Sequence, residues 1–169
     1  METVTKKYTI YNFDELNEKI KQYLIEKETQ EQFELYCDTC LYSDMREKAA
    51  ELLQKYFGNK AELKDVYYSL SYCQGDGAMF EFDGYYYNKY FKVKHNGHYY
   101  HMYSYTIDDI TTYGEYLTDK QAEKLKNKIE KMFGEFEAYG WKCIDYRITE
   151  DEAKNFLREF KYLENGEVF

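Results

Sequence analysis

The stretch SYCQGDGAMFEFDG, residues 71–84, places a thiol, an amide and a carboxylate close together at Cys73, Gln74 and Asp76, with Gly75 and Gly77 interleaved. Two chemistries could use such a loop: nucleophilic attack by Cys73, or contact with a nucleotide or nucleic acid through Gln74 to Gly77. A cysteine nucleophile needs a base or a positive neighbour to populate the thiolate, and the local sequence places no recognisable one beside Cys73. A phosphate cradle needs the Lys-Ser/Thr that follows a P-loop and a strand-to-helix context. Neither accompanies these residues, which join two aromatic-rich runs. A purely conformational reading is complete by itself, because Gly75, Asp76 and Gly77 make a three-residue hairpin loop with Gly77 at its left-handed position.

The metal-ligating residue types are similarly sparse. Cys37 and Cys40 have C-x-x-C spacing, but no second pair accompanies them, and Cys73 and Cys143 would have to converge from afar to complete a zinc site. His95 and His98 flank Asn96-Gly97 and face each other across the hairpin that this dipeptide predicts, whereas His101 falls on the opposite face. Two imidazoles do not make a centre, so no metal and no cofactor is expected. The carboxylates Asp108 and Asp109, and Glu150, Asp151 and Glu152, read as loop and helix-start charges.

These residues belong to a chain of 169 residues with 44% hydrophobic side chains, enough for the core of one domain. Tyrosine occurs 22 times and tryptophan once, so many aromatic rings must lie at the surface with wet hydroxyls, as they do at protein interfaces. The net charge of −9 repels nucleic acid and attracts basic proteins, which disfavours direct duplex DNA binding. The start METVTKKYTI lacks a signal-peptide core, and no run approaches the ~20 apolar residues of a membrane span. A cytoplasmic, reducing setting with free thiols is the expectation.

Without proline, a repeat or a low-complexity tract, nothing marks an internal linker, so residues 1–169 read as a single domain. A short β-like piece at Lys7 to Tyr11 precedes a helix starting near Phe13, with Asn12 and Glu15 in capping spacing. A second helix is signalled by Ser43 as cap, a stripe of Met45, Ala49, Leu52, Leu53 and Tyr56, and Gly58 as stop. A third begins at Thr118, paired with Gln121, and carries Leu125, Ile129, Met132, Phe133 and Phe136 on one face. The last starts near Thr149 with Glu152 and buries Ala153, Phe156, Leu157 and Phe160. Between these two, WKCIDYRI alternates as a strand.

In the middle, alternation predicts two hairpins. The first opposes Tyr72 to Phe80 and Leu70 to Phe82; the second opposes His95 to His98, Val93 to Tyr100, Phe91 to Met102, Lys92 to His101 and Tyr90 to Tyr103. The resulting fold class is α+β, a four-stranded antiparallel meander flanked by N-terminal and C-terminal helices.

The block Cys73-Gln74-Gly75-Asp76-Gly77 with Phe80 resembles a [SC]-Q-G-D-G-x-x-F signature of small phage and mobile-element proteins, of the anti-CRISPR and anti-restriction type. The resemblance spans residues 64–169. It implies a host-defence inhibitor, cytoplasmic in the bacterial host, that binds a nuclease or Cas effector with or without its guide RNA. Its contacts would be Gln74 and Asp76 of the loop, the tyrosines Tyr90, Tyr99 and Tyr103, and the carboxylates Asp108, Asp109, Glu150, Asp151 and Glu152. Two alternatives remain open at this point: a factor acting on nucleic acid or a nucleotide through Gln74 to Gly77, and the antitoxin of a toxin pair.

Overall fold

A computed structural model describes residues 7–108, 111–112 and 115–169. In chain order the elements are β1 (Tyr11–Asn12), a 3-10 turn (Phe13–Glu15), α1 (Glu18–Thr39), α2 (Leu41–Phe57) and a second 3-10 turn (Gly58–Lys60). Then come β2 (Ala61–Ser69), β3 (Gly77–Tyr86), β4 (Lys89–His95), β5 (Tyr105–Asp108), β6 (Thr111–Thr112), β7 (Glu115–Tyr116), α3 (Asp119–Asp145), α4 (Glu150–Leu157) and β8 (Lys161–Tyr162). The class is α+β, with a four-stranded antiparallel sheet in the order β2-β3-β4-β5 and helices before and after it in the chain. Two compact units are evident: residues 39–145 form one, and residues 1–38 with 146–169 form the other. The boundaries fall where α1 gives way to α2 and where α3 ends.

The sheet is a meander, but both expected hairpin registers are corrected. Phe80 pairs with Val66 and Gly77 with Ser69, so Tyr72 and Leu70 lie outside the ladder and the β2–β3 connection is Leu70 to Asp76. From Asp65 to Ser69 the displacement is an even number of residues, which keeps the faces. An irregularity between Leu63 and Asp65 then moves the register by one, so that Phe82 pairs with Leu63, and Val66, Phe80 and Phe82 are all buried. In the second case His95 pairs with Tyr105 and Val93 with Ile107, leaving residues 96–104 as a long loop in which His98, Tyr100, His101, Met102 and Tyr103 form no ladder. The tight two-residue turn sits elsewhere, between Tyr86 and Lys89, where Tyr87 and Asn88 have φ of 49° and 60°. Two successive left-handed residues are what a type I′ hairpin needs, and Asn88 tolerates that conformation well.

One face of the sheet carries the core of this unit. Met45, Ala49, Leu52 and Leu53 of α2, and Leu125, Ile129, Met132, Phe133 and Phe136 of α3, are all buried as their helical spacing requires. Phe80 stands edge-on to Phe133 and to Phe136, each with centroids 4.9 Å apart, the arrangement favoured by the ring quadrupole. Gly58 terminates α2 as expected, but the helix begins at Leu41 with Cys40 rather than Ser43 at the cap. WKCIDYRI is not a strand: α3 continues through Trp141 to Asp145, burying Cys143 and Ile144. Its apparent alternation is only the tail of a 27-residue helical stripe.

In the other unit the Asn12–Glu15 capping contacts form, yet they close a single 3-10 turn, and α1 begins only at Glu18. The β-like piece is confined to β1, which pairs with β8. Thr149 and Glu152 make the expected reciprocal cap of α4. Phe13, Leu16, Leu24, Ile25, Ala153, Leu157 and Tyr162 form the core. Phe156, expected inside, is 40% exposed, because α4 turns only the Ala153 and Leu157 side inward.

Candidate functional site

Asp76 organises the 70–76 loop. Its Oδ2 accepts the Ser71 N–H, the Ser71 hydroxyl and the Cys73 N–H, each at 2.8 Å. The Ser69 hydroxyl, then the Cys73 N–H and the Ser71 hydroxyl, hold the Asp76 carboxyl down at about 2, because each donor favours the anion. A carboxylate so occupied is a poor general base and an effective loop clamp. Cys73, exposed beside it, donates its thiol toward the Ser71 carbonyl at 3.8 Å. The exposed Gln74 and the glycines complete the loop.

The loop touches two neighbours. Tyr72, in a left-handed conformation, stacks its ring on Trp141 of α3 at 4.9 Å and 27°, and its hydroxyl donates to Asp145. At the other contact the Gly75 carbonyl accepts the Tyr100 N–H at 2.9 Å, and the Tyr99 ring lies directly on Gly75, where an added Cβ would meet Tyr99 Cδ1 at 2.2 Å. Gly77 has no more room: a Cβ there would meet His101 Cα at 2.6 Å and Glu137 Oε2 at 2.7 Å. Glu137 Oε2 also accepts the Met102 N–H, so α3 holds the base of the 96–104 loop.

Within that second loop, rings and imidazoles alternate. His95 lies between Tyr67 at 4.8 Å and Tyr100 at 5.3 Å, both nearly parallel to it, and its Nε2 donates to the Tyr99 carbonyl at 2.7 Å. His101 stacks on Tyr99 at 5.8 Å and meets Tyr103 edge-on at 6.2 Å. Its Nδ1 accepts the Tyr103 N–H, which selects the tautomer protonated at Nε2. The Asn96 N–H donates to the Ser104 carbonyl and the His98 N–H to the Asn96 side chain, so Asn96-Gly97 turns the chain inside a larger loop. The outcome is a surface of two interlocked loops on which Tyr72, Tyr99 and Tyr103 are 71%, 51% and 59% exposed.

Of the residues singled out from sequence, Gln74, Asp76, Tyr99 and Tyr103 come together here. Tyr90 does not: it pairs with Tyr85 on the β3–β4 hairpin and donates to Asp83. Asp108 forms an ion pair with Lys94 at 3.0 Å. Asp109 lies outside the described residues. Glu150, Asp151 and Glu152 belong to the first turn of α4, where Glu152 is committed to the Thr149 cap and Glu150 pairs with Lys154. His95 and His98 do not oppose each other, and among the described residues no three His, Cys, Asp or Glu side chains gather as a metal site. No helix of the described residues is long and apolar enough to cross a membrane.

Trp141 and Glu137 join the site without any signal in the sequence, because both reach it from α3, and Tyr67 of β2 enters only by stacking on His95. Tyr72, expected in the ladder opposite Phe80, instead turns onto Trp141. Comparison with protein-family models, with curated proteins and with solved structures finds no match for this chain.

Proposed function

We propose that this acidic protein is a binding inhibitor that places its tyrosine-bearing face on a basic nucleic-acid channel of a host defence nuclease, a Cas effector being the first candidate. The observation that carries this reading is the face built by the 70–76 and 96–104 loops. Three largely exposed tyrosines are held there by backbone contacts at Gly75, by stacking on histidine and by the Trp141 contact. Tyrosine supplies large contact area with little conformational entropy to lose, and rings already stacked in the free protein lose less still. The net charge of −9 adds long-range attraction to a basic partner.

The reading in which Gln74 to Gly77 act on nucleic acid is less well supported, since the Asp76 carboxylate is engaged by the loop's own donors. The antitoxin reading shares the same surface and differs only in partner. Pull-down of the tagged protein against Cas effectors, restriction nucleases and ribonuclease toxins, followed by cleavage assays, separates the three. Stoichiometric capture with loss of cleavage, weakened by Tyr99→Ala or Tyr103→Ala, is the expected result. Chemically altered nucleic acid after incubation with the protein alone would reject inhibition by occupancy.

A further inference from the structure

The unit formed by residues 1–38 and 146–169 contains a groove of about 470 Å³ that the reading above does not use. That volume lies in the range of small-ligand sites. Leu24, Glu28, Leu157 and Tyr162 of its lining are buried, whereas Tyr23, Phe156 and Val168 at its edge are 62%, 40% and 60% exposed. Phe156 and Phe160 present a tilted ring pair, with centroids 5.1 Å apart, to the same space.

One charge among these apolar groups stands out. Glu28 is only 7% exposed, and its hydrogen bond is to Gln32 Nε2 through Oε1, at 2.8 Å. Among the described residues no cation is paired with it. The other charged side chains on the lining are Lys27, Glu31 and Glu167, and Lys27 pairs with Glu31 at 3.6 Å. The Tyr162 phenol at the floor has its pKa raised, first by burial and then by the Glu28 charge, and its hydroxyl donates to the Leu157 carbonyl. Glu28 is thus mostly covered by its neighbours and has a carboxylate oxygen left over beyond the Gln32 bond, to which a cation delivered with its own apolar stem can add a charge-assisted partner.

We infer that this groove binds an alkylammonium ion, with the charged head at Glu28 and the aliphatic stem against Tyr23, Phe156 and Phe160. Aromatic faces attract a cation electrostatically, and one carboxylate gives the head a charge-assisted partner. Either a free amine or the lysine side chain of a protein can supply that group.

The test is titration of the full chain, followed by calorimetry and by NMR of Tyr162 and Phe156, with hexylammonium, hexanol, hexanoate and Nα-acetyl-lysine methylamide. Hexylammonium should bind at least about tenfold more tightly than hexanol, and hexanoate should not bind. Glu28→Gln should erase the preference for the cation, while Phe156→Ala, at an exposed position, should weaken hexylammonium and hexanol alike. Tighter binding of the lysine amide than of hexylammonium assigns the site to a protein side chain; the reverse order assigns it to a free amine, and both support the inference. Equal binding of hexanol and hexylammonium by the unsubstituted protein overturns it without recourse to any variant. So does a cation preference that survives Glu28→Gln, or no binding of either amine at millimolar concentration.

Discussion

Replacing Gly75 by alanine tests whether the two loops are interlocked as the structure has them. At φ +92° an alanine is strained, by about 1–2 kcal/mol for a left-handed residue. Its Cβ would also stand 2.2 Å from Tyr99 Cδ1 and 2.8 Å from Cε1, far inside the ~3.5–4.0 Å of carbon contact. Tyr99 is half exposed and can swing aside, so the steric cost is the loss of its packing and of its stacking on His101, about 0.5–1.5 kcal/mol. Gly97→Ala is the internal control: it has φ +83° and no atom within 4 Å, so only the backbone strain applies. The entropy that alanine removes from the unfolded chain is common to both variants and cancels.

Urea unfolding followed by circular dichroism should therefore find Gly75→Ala about 1 kcal/mol less stable than Gly97→Ala. Adding Tyr99→Ala should abolish that difference, a coupling that a double-mutant cycle reads directly. Binding to the nuclease partner should fall for Gly75→Ala and not for Gly97→Ala. Equal destabilisation by the two glycine variants, with no coupling to Tyr99, would refute the interlocked arrangement and remove the basis for a preorganised tyrosine face.

Acid should loosen the 70–76 loop. The Asp76 pKa lies below its ordinary 3.8, at about 2, so its contribution is present above pH ~4 and is lost as pH falls toward 2; amide shifts of Ser71 and Cys73 should follow that window and cease to do so in Asp76→Asn. Tyr72→Ala should uncover Trp141, the single tryptophan, raising its quenching by acrylamide and shifting its emission to the red, whereas Tyr72→Phe should keep the stack. Phe80→Ala, at 0% exposure between Phe133 and Phe136, should cost about 3–5 kcal/mol in urea unfolding. Association with a basic partner should slow as salt rises, because exposed charges are screened beyond ~8 Å at physiological ionic strength, while truncation of Tyr103 should act mainly on dissociation.

What the sequence alone determined is what short-range physics decides. The caps at Thr118 and Thr149 form because donor and acceptor lie three residues apart and meet in any helix that starts there. The buried stripes of α2 and α3 follow from helical periodicity. The inward placing of Val66, Phe80 and Phe82 follows from a period of two, which the even displacement between Asp65 and Ser69 leaves intact, whereas the burial of Met79 on the opposite face does not follow from it. Register was beyond reach, since it depends on which distant backbone groups pair. Asp76 gathers Ser69, Ser71 and Cys73 into a loop and so ends β2 at Ser69, and the turn chemistry of Asn96-Gly97 is absorbed into a connection anchored by Glu137. The Trp141 run likewise looked like a strand until α3 carried it onto Tyr72. The sequence marked a connection at Gly75 to Gly77 but not its extent: the loop runs from Leu70 to Asp76 and Gly77 opens β3, and only the tertiary structure decided that these glycines let Tyr99 and His101 come close. The Asp76 contacts are local, but those of the glycines join residues more than twenty positions apart, where local propensity carries no information and packing selects the arrangement.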